Sequence, residues 1–373
     1  NNSLPAGVEG VLDLKNSPKP LLFGRCSNVS PKLVNTSRLI YQISSESIQQ
    51  VVSVFSNGAY MTPSTVTVTT FAEFTADTVT NPTAGTFTFY SGTEGSFIRL
   101  GMDGGSVTCT VWEKISPIDT TLAAVTLRIL TLAGYTSSDW IAADFTALDA
   151  IQGDSVGIFL DAETNIDQVL NDLFTGTGCY WGIDSNNKFR VFQFGDFTQT
   201  SLGTVNQRTP TDQYGLITCE VERPSYMGKI APLKEVKLSY DKNWTVIDKA
   251  SQAGIVVVEQ TQRSDWLASE WRDALQTTTS SYPLAQQIAY SCFFVSEYAA
   301  KAEALRILNL CSVQRDYVNA TIRASTSFLQ TLFPGKLLVL SLPRYGWDAG
   351  KSFIVLSVEN NYLESTSNLI LWG

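Results

Sequence analysis

Apolar and polar residues alternate with a period of two over much of the chain, the signature of half-buried strands. Leu21 to Phe23 and Leu39 to Ile43 read as strands around a loop marked by Pro and Asn. VVSVFSNGAYMT predicts a hairpin turning at Asn57-Gly58. The Thr-rich stretch Thr65 to Thr75 fits β structure, as do GTFTFYSG and SFIRLGMDGGSVTCTVWE, the latter turning at Gly104-Gly105. The first third is therefore mainly β.

After Pro117 the period changes. Leu122, Val125, Leu127, Ile129 and Leu130 predict a well-buried helix ended by Gly134, and a second short helix is expected near Ser138-Asp139. VGIFLD reads as a strand. Thr164 or Asn165 then caps a helix whose Ile166, Val169, Leu170 and Leu173 form one apolar stripe, stopped by Gly176 and Gly178. CYWGIDSNNKFRVFQFG predicts an aromatic hairpin turning at Asp184 to Asn187, which completes a β-α-β-β unit.

In the last third, Glu235 to Val246 alternates as a strand and SDWLASEWRDALQ predicts a helix capped by Ser264. Ser296 caps a further helix through AAKAEALRILNLC, with Glu297 in its first turn. In RDYVNATIR, Val318, Ala320 and Ile322 face one way and the polar residues the other. KLLVLSL, SFIVLSV and NLILW follow as strands of a meander expected to pack under the Ser296–Cys311 helix, with Glu359 to Ser367 as a polar connection. The predicted class is α+β, mainly β, in three parts: a β segment over 1–115, a helical and β-α-β-β insert over 116–235, and a helix plus antiparallel meander over 236–373.

Composition narrows the function. A chain of 373 residues with 44% hydrophobic content can build two or more domains. Charged residues are only 16%, below the roughly 25% of average proteins, which suits an assembled β protein better than a free enzyme. The net charge is −9 and no basic run occurs, which disfavours sequence-independent nucleic-acid binding. No apolar run approaches the roughly 20 residues of a membrane span. The opening NNSLPAGVEG lacks a signal pattern and reads as a processed end or the interior of a longer product. Cys26, Cys109, Cys179, Cys219, Cys292 and Cys311 are widely spaced without a CxxC, and read as reduced, buried residues.

The chain has no histidine. No Ser-His-Asp or Cys-His relay can be built, and His-based zinc sites are excluded. Paired carboxylates survive this test, with Asp161 and Glu163 as a candidate, although such pairs on loops are commonly only solvated. Tyr180 and Trp181 are either a ligand platform or, more commonly for such residues, core against the adjacent helix. Trp347, Tyr345 and Trp181 are candidate sugar-stacking aromatics. GWDAGKS (Gly346 to Ser352) looks like a P-loop but has one residue too few and precedes a strand, so it reads as a connecting loop. No catalytic, cofactor-binding or metal-ligating residue is assigned, no cofactor is expected, and the chain is expected not to be an enzyme.

The stretch LFPGKLLVLSLPRYGWDAGKSFIVLSVENNYLESTSNLILWG carries a resemblance. Pro334-Gly335, Pro343 to Gly346, Gly350-Lys351 with Phe353, and Trp372-Gly373 occur in the order found at the C-terminal end of tail-tip or baseplate hub proteins of tailed phages of proteobacteria. The helix residues Ala302 to Arg306 and the segment VEGVLDLKNSPKPLLFGRCSNVSPKLV with LIYQIS are also similar to that family; Phe97 to Gly101 with Val107-Thr108 is a weaker match. The family would carry a further β segment upstream of Val8, and this chain starts just before the match. The resemblance implies a structural hub of three copies around the tail axis, in the virion, with tube-type β domains and smaller α/β inserts. Its implied partners are further copies of itself, a tail-tube or distal tail protein, the tape-measure protein and tail fibres or a spike, with DNA only in transit. A receptor- or glycan-binding tail protein is the competing reading, and a carboxylate-dependent glycan hydrolase a weaker one.

Overall fold

The computed structural model describes residues 14–76, 81–222, 232–247, 267–268, 272–273, 280–283 and 285–373. The class is α+β, mainly β, and the packing centres on three large hydrophobic clusters.

The first cluster lies inside a curled sheet built from β1 (Leu21–Val29), β2 (Lys32–Asn35), β3 (Ile40–Ser44), β4 (Gln50–Ser56), β5 (Ala59–Pro63), β6 (Thr86–Gly92), β7 (Gly95–Leu100), β8 (Val107–Trp112) and β9 (Gly157–Leu160). Their order is β2-β3-β7-β6-β5-β4-β8-β1-β9, with β5 and β6 parallel. Leu22, Ile43, Val54, Ile98, Cys109 and Val111 converge from five strands on one cluster. The Asn57-Gly58 turn forms as expected, with both residues at positive φ (46° and 80°). The loop expected between the first two strands instead contains β2, which lengthens that end of the sheet.

Thr65–Thr75 is not a strand. It runs irregularly into a helix over Phe71–Thr75, because Thr70 and Glu73 form a capping box and Phe74 drives into a cluster with Ile40, Tyr90 and Phe97.

The central cluster is mixed. The helices Leu122–Leu132 and Ile166–Phe174 form as expected; the one expected near Ser138 starts later, at Ala142, and runs to Ile151. They pack with the hairpin of β10 (Cys179–Ile183) and β11 (Phe189–Gln193). After β12 (Thr204–Asn206) and β13 (Gly215–Glu222), the chain enters β14 (Leu233–Tyr240). β14 pairs with β15 (Leu267–Ala268) and β16 (Arg272–Asp273) on one side and, in parallel, with β17 (Gln286–Ser291) on the other. This corrects the helix predicted from Ser264 where residues are described: β15 and β16 satisfy an edge of β14 that would otherwise be unpaired. The rest of that prediction lies outside the described residues.

The third cluster fills a barrel. β18 (Tyr317–Arg323), β19 (Leu337–Leu342), β20 (Trp347–Asn361) and β21 (Thr366–Trp372) join β12 and β13 in the order β12-β19-β20-β21-β18-β13. The ring closes where Gln207 meets Leu216, with the Arg208 amide donating to the Leu216 carbonyl at 3.1 Å. Val318, Ala320 and Ile322 point inward, as their alternation predicts, and meet Leu338, Leu340, Phe353, Val355, Leu369 and Leu371.

Two expectations change here. β20 is a single strand of 15 residues that takes in most of GWDAGKS and the first three residues of the connection predicted over Glu359 to Ser367, while β21 takes its last two, leaving a tight turn between Asn361 and Thr366. A shift in the β19–β20 register near Gly350, at φ +89°, absorbs the sequence that looked like a loop. The meander also does not lie under the helix as a whole. The Glu297–Cys311 helix buries Ala299, Ala300, Ala304 and Leu308 in the central cluster with β14, and only Leu310 and Cys311 reach the barrel's outer wall at Trp372.

Candidate interaction surface

The expected chemical residues do not converge. Asp161 and Glu163 are both exposed, and Asp161 faces Lys32 at 3.7 Å. Among the described residues no group of three or more Cys, Asp or Glu could hold a metal ion. Trp347 is only 4% exposed, packed edge-on against Phe353 (4.9 Å between centroids) inside the barrel, so it offers no face to a ligand. Tyr345 is exposed at the β19–β20 turn. No helix among the described residues is long and apolar enough to cross a membrane.

The β10–β11 hairpin carries the more informative surface. Asp184 sets its turn by accepting from the Asn186 and Lys188 amides at 2.8 and 3.1 Å, with Asn187 at φ 58°. Arg190 fastens it to the Ala142–Ile151 helix through Asp144, and also reaches Asp184 at 3.4 Å. Period-two geometry then separates the neighbouring aromatics. Trp181 is half-buried, with its indole N–H donating to Asn171 Oδ1 at 3.0 Å. Tyr180 lies on the opposite face and is 52% exposed, so of the two readings the core one fails for this residue.

Tyr180 belongs to a chain of ring contacts. It stacks on Phe192 (5.9 Å, 21°) and meets Phe194 edge-on; Phe192 meets Phe333, and Phe194 meets Trp372 at 5.2 Å. These rings line a groove of about 610 Å³ between the hairpin and the barrel's outer wall. Gly335 allows the close approach: at φ +86°, a Cβ there would lie 2.0 Å from the Phe192 ring. Alternation in FRVFQFG marks Phe192 and Phe194 as sharing a face. No local signal brings them to Phe333 or Trp372, more than 130 residues away.

A second groove, about 710 Å³, shares Tyr180, Trp181 and Phe194 with the first and lies against β17 and the Glu297–Cys311 helix. Its floor holds an ion pair. Arg306 donates from Nε and Nη2 to the two Glu303 oxygens at 2.7 and 2.8 Å, and from Nη1 to the Phe194 carbonyl at 2.8 Å. Burial raises the Glu303 carboxyl from its ordinary value, against the pull of Arg306.

Charge is unevenly spread. Residues 116–175 hold nine Asp or Glu and one Arg, which places almost the whole net charge of −9 in this segment. Asp119, Asp149, Asp161, Glu163, Asp167 and Asp172 are exposed, so this segment presents an acidic surface.

No protein-family model matches the sequence, and no curated protein matches it. Solved structures do match by fold. A chain in the virion of a native gene transfer agent particle aligns over 96% of this chain and 84% of its own, at 13% identity and a TM-score of 0.54. The tail protein from Neisseria meningitidis MC58 aligns over 78% of each chain at 9% identity and a TM-score of 0.40. The 43 kDa tail protein of prophage MuSo2 from Shewanella oneidensis aligns over 95% of this chain and 98% of its own, at 10% identity and a TM-score of 0.36. The first of these, at a TM-score of 0.54, shows that the chain shares the fold of that virion chain.

Proposed function

We propose that this protein is a structural component of a phage-type tail, acting as a hub at its tip. The observation that carries this reading is the shared fold with a gene transfer agent virion chain over 96% of the present chain. The ordered C-terminal residues Pro334-Gly335, Pro343 to Gly346 and Trp372-Gly373 agree with it. So does the absence of histidine, which removes most catalytic arrangements.

In this reading three copies form a ring around the tail axis, joining the tail tube to fibres or a spike and lining the DNA exit path. The tail-tube or distal tail protein, the tape-measure protein and the fibre proteins are its neighbours. The chain divides near residues 115 and 235 into a β hub segment, an insert and a C-terminal hub domain. Surface facing the channel is neutral or acidic, since like charge keeps DNA from adhering as it passes. The acidic surface of residues 116–175 suits that requirement.

A receptor- or glycan-binding role draws support from exposed Tyr345 and Tyr180, but burial of Trp347 removes one of its three proposed platforms. Quantitative mass spectrometry of purified particles tests the hub. The expected copy number is a multiple of three, in tails separated from heads. Recovery with the head or neck fraction contradicts it.

A further inference from the structure

The aromatic groove has a wall that remains unexplained. β20 is longer than its partner on one side: β19 pairs with it only as far as Ile354 opposite Leu337, and the Gly335 and Lys336 backbone groups satisfy Val355. From Leu356 to Asn361, β20 is paired on one edge only, with β21. Among the described residues no backbone hydrogen bond reaches the other edge of this stretch. Leu356 lies on the outer face of the barrel, in the cluster with Phe194 and Trp372, whereas Val358 packs on the barrel interior; both border the groove. Asn360 Oδ1 is buried and has no hydrogen-bond partner, although its amide nitrogen donates to the Leu329 carbonyl at 3.1 Å. The hairpin side of the cleft adds Ile183, 54% exposed.

We propose that this groove is a strand-addition site, which takes an extended segment of another protein along the Leu356–Asn361 edge of β20. An open strand edge supplies alternating amide donors and carbonyl acceptors, a template for one more strand. The apolar wall opposite accommodates alternate side chains of the incoming segment. Charge complementarity defines the occupant further. Glu359, whose carboxylate accepts from the Asn368 amide at 3.2 Å, is exposed near the far end of β20, and Glu364 is exposed in the turn that follows, whereas Lys336 lies at the near end. The fitting segment therefore alternates apolar and small polar residues and carries a basic residue where it passes the two glutamates. This inference is independent of the hub reading, because it rests on the open edge and the groove alone.

The test uses the full chain and a fluorescent peptide of alternating valine and threonine with an N-terminal lysine, read by anisotropy. Two further peptides carry N-methyl groups on one or the other set of alternate amides. Strand pairing engages only alternate amides, so one methylated peptide is expected to lose binding and the other to keep it. Tyr180→Asp, at a half-exposed position, is expected to weaken the parent peptide roughly tenfold or more. Glu359→Lys with Glu364→Lys is expected to weaken it roughly threefold. Absence of peptide binding overturns the proposal, as does equal binding of both methylated peptides. Self-association of the wild type that is abolished by Tyr180→Asp also overturns it, since the occupant is then a second copy.

Discussion

Gly24 and Gly157 sit opposite each other across β1 and β9, and neither position has room for a side chain. A Cβ on Gly24 would lie 2.0 Å from the Val156 carbonyl oxygen, and one on Gly157 would lie 1.6 Å from that of Arg25. This contact joins the curled sheet to the central cluster, since β9 ends that sheet while Val156 and Ile158 pack in the centre. Gly157→Ala should therefore cost at least about 1–3 kcal/mol by overpacking against backbone. Gly153→Ala is the control, because among the described residues a Cβ there meets only the Asp149 carbonyl oxygen, at 3.2 Å. Urea unfolding of the two variants compares them; equal stability would contradict the contact.

The Glu303–Arg306 pair makes a second prediction. Glu303→Ala leaves a largely buried guanidinium without its carboxylate and should cost about 3–5 kcal/mol. Replacing both residues, Glu303→Leu with Arg306→Met, should recover most of that loss, because the double variant buries no unpaired charge. Denaturant midpoints of the single and double variants measure this. A double variant as unstable as the single one would refute it.

Barrel packing can be tested at Phe353, fully buried and in edge contact with Trp347. Phe353→Ala should cost about 3–5 kcal/mol through lost burial and the cavity left behind. Tyr345→Ala, at the exposed turn beside it, should change stability by less than about 1 kcal/mol. Thermal melts of both variants provide the comparison.

Asp241 makes stability depend on pH. Burial raises its carboxyl from the ordinary 3.8, and the Ser27 hydroxyl, donating at 2.8 Å, only partly offsets this. A raised folded value means that the folded protein holds the proton more tightly than the unfolded chain. That contribution is complete below the unfolded value and is lost as pH rises through the folded one. Asp241→Asn removes the titration and can still accept from Ser27. Relative to the variant, the wild type should lose stability as pH rises from about 4 toward neutrality. Parallel pH profiles would show that this carboxyl is not shifted.

Local pattern made much of the fold legible. Val318, Ala320 and Ile322 read correctly as one strand face, and Asn57-Gly58 as a hairpin turn, because both signals reside in consecutive residues. Barrel closure was not legible: it depends on β12 meeting β19 and on β13 meeting β18, partners about a hundred residues or more apart. Thr65–Thr75 misled because β-branched content outweighed the short Thr70–Glu73 capping signal. At the groove, the sequence singled out Tyr180 and Trp181 but could not distinguish their faces. Which ring is exposed depends on where the barrel and the Ile166–Phe174 helix pack, and neither is local to the hairpin.

The central claim is the protein's place in a tail, and cryo-electron microscopy of intact particles tests it most directly because it gives position and symmetry together. The account predicts density for this chain at the tail tip, in three copies around the axis, with a channel wall that is neutral or acidic. Density for it in the head or neck, or a channel lined by Lys and Arg, would contradict the account.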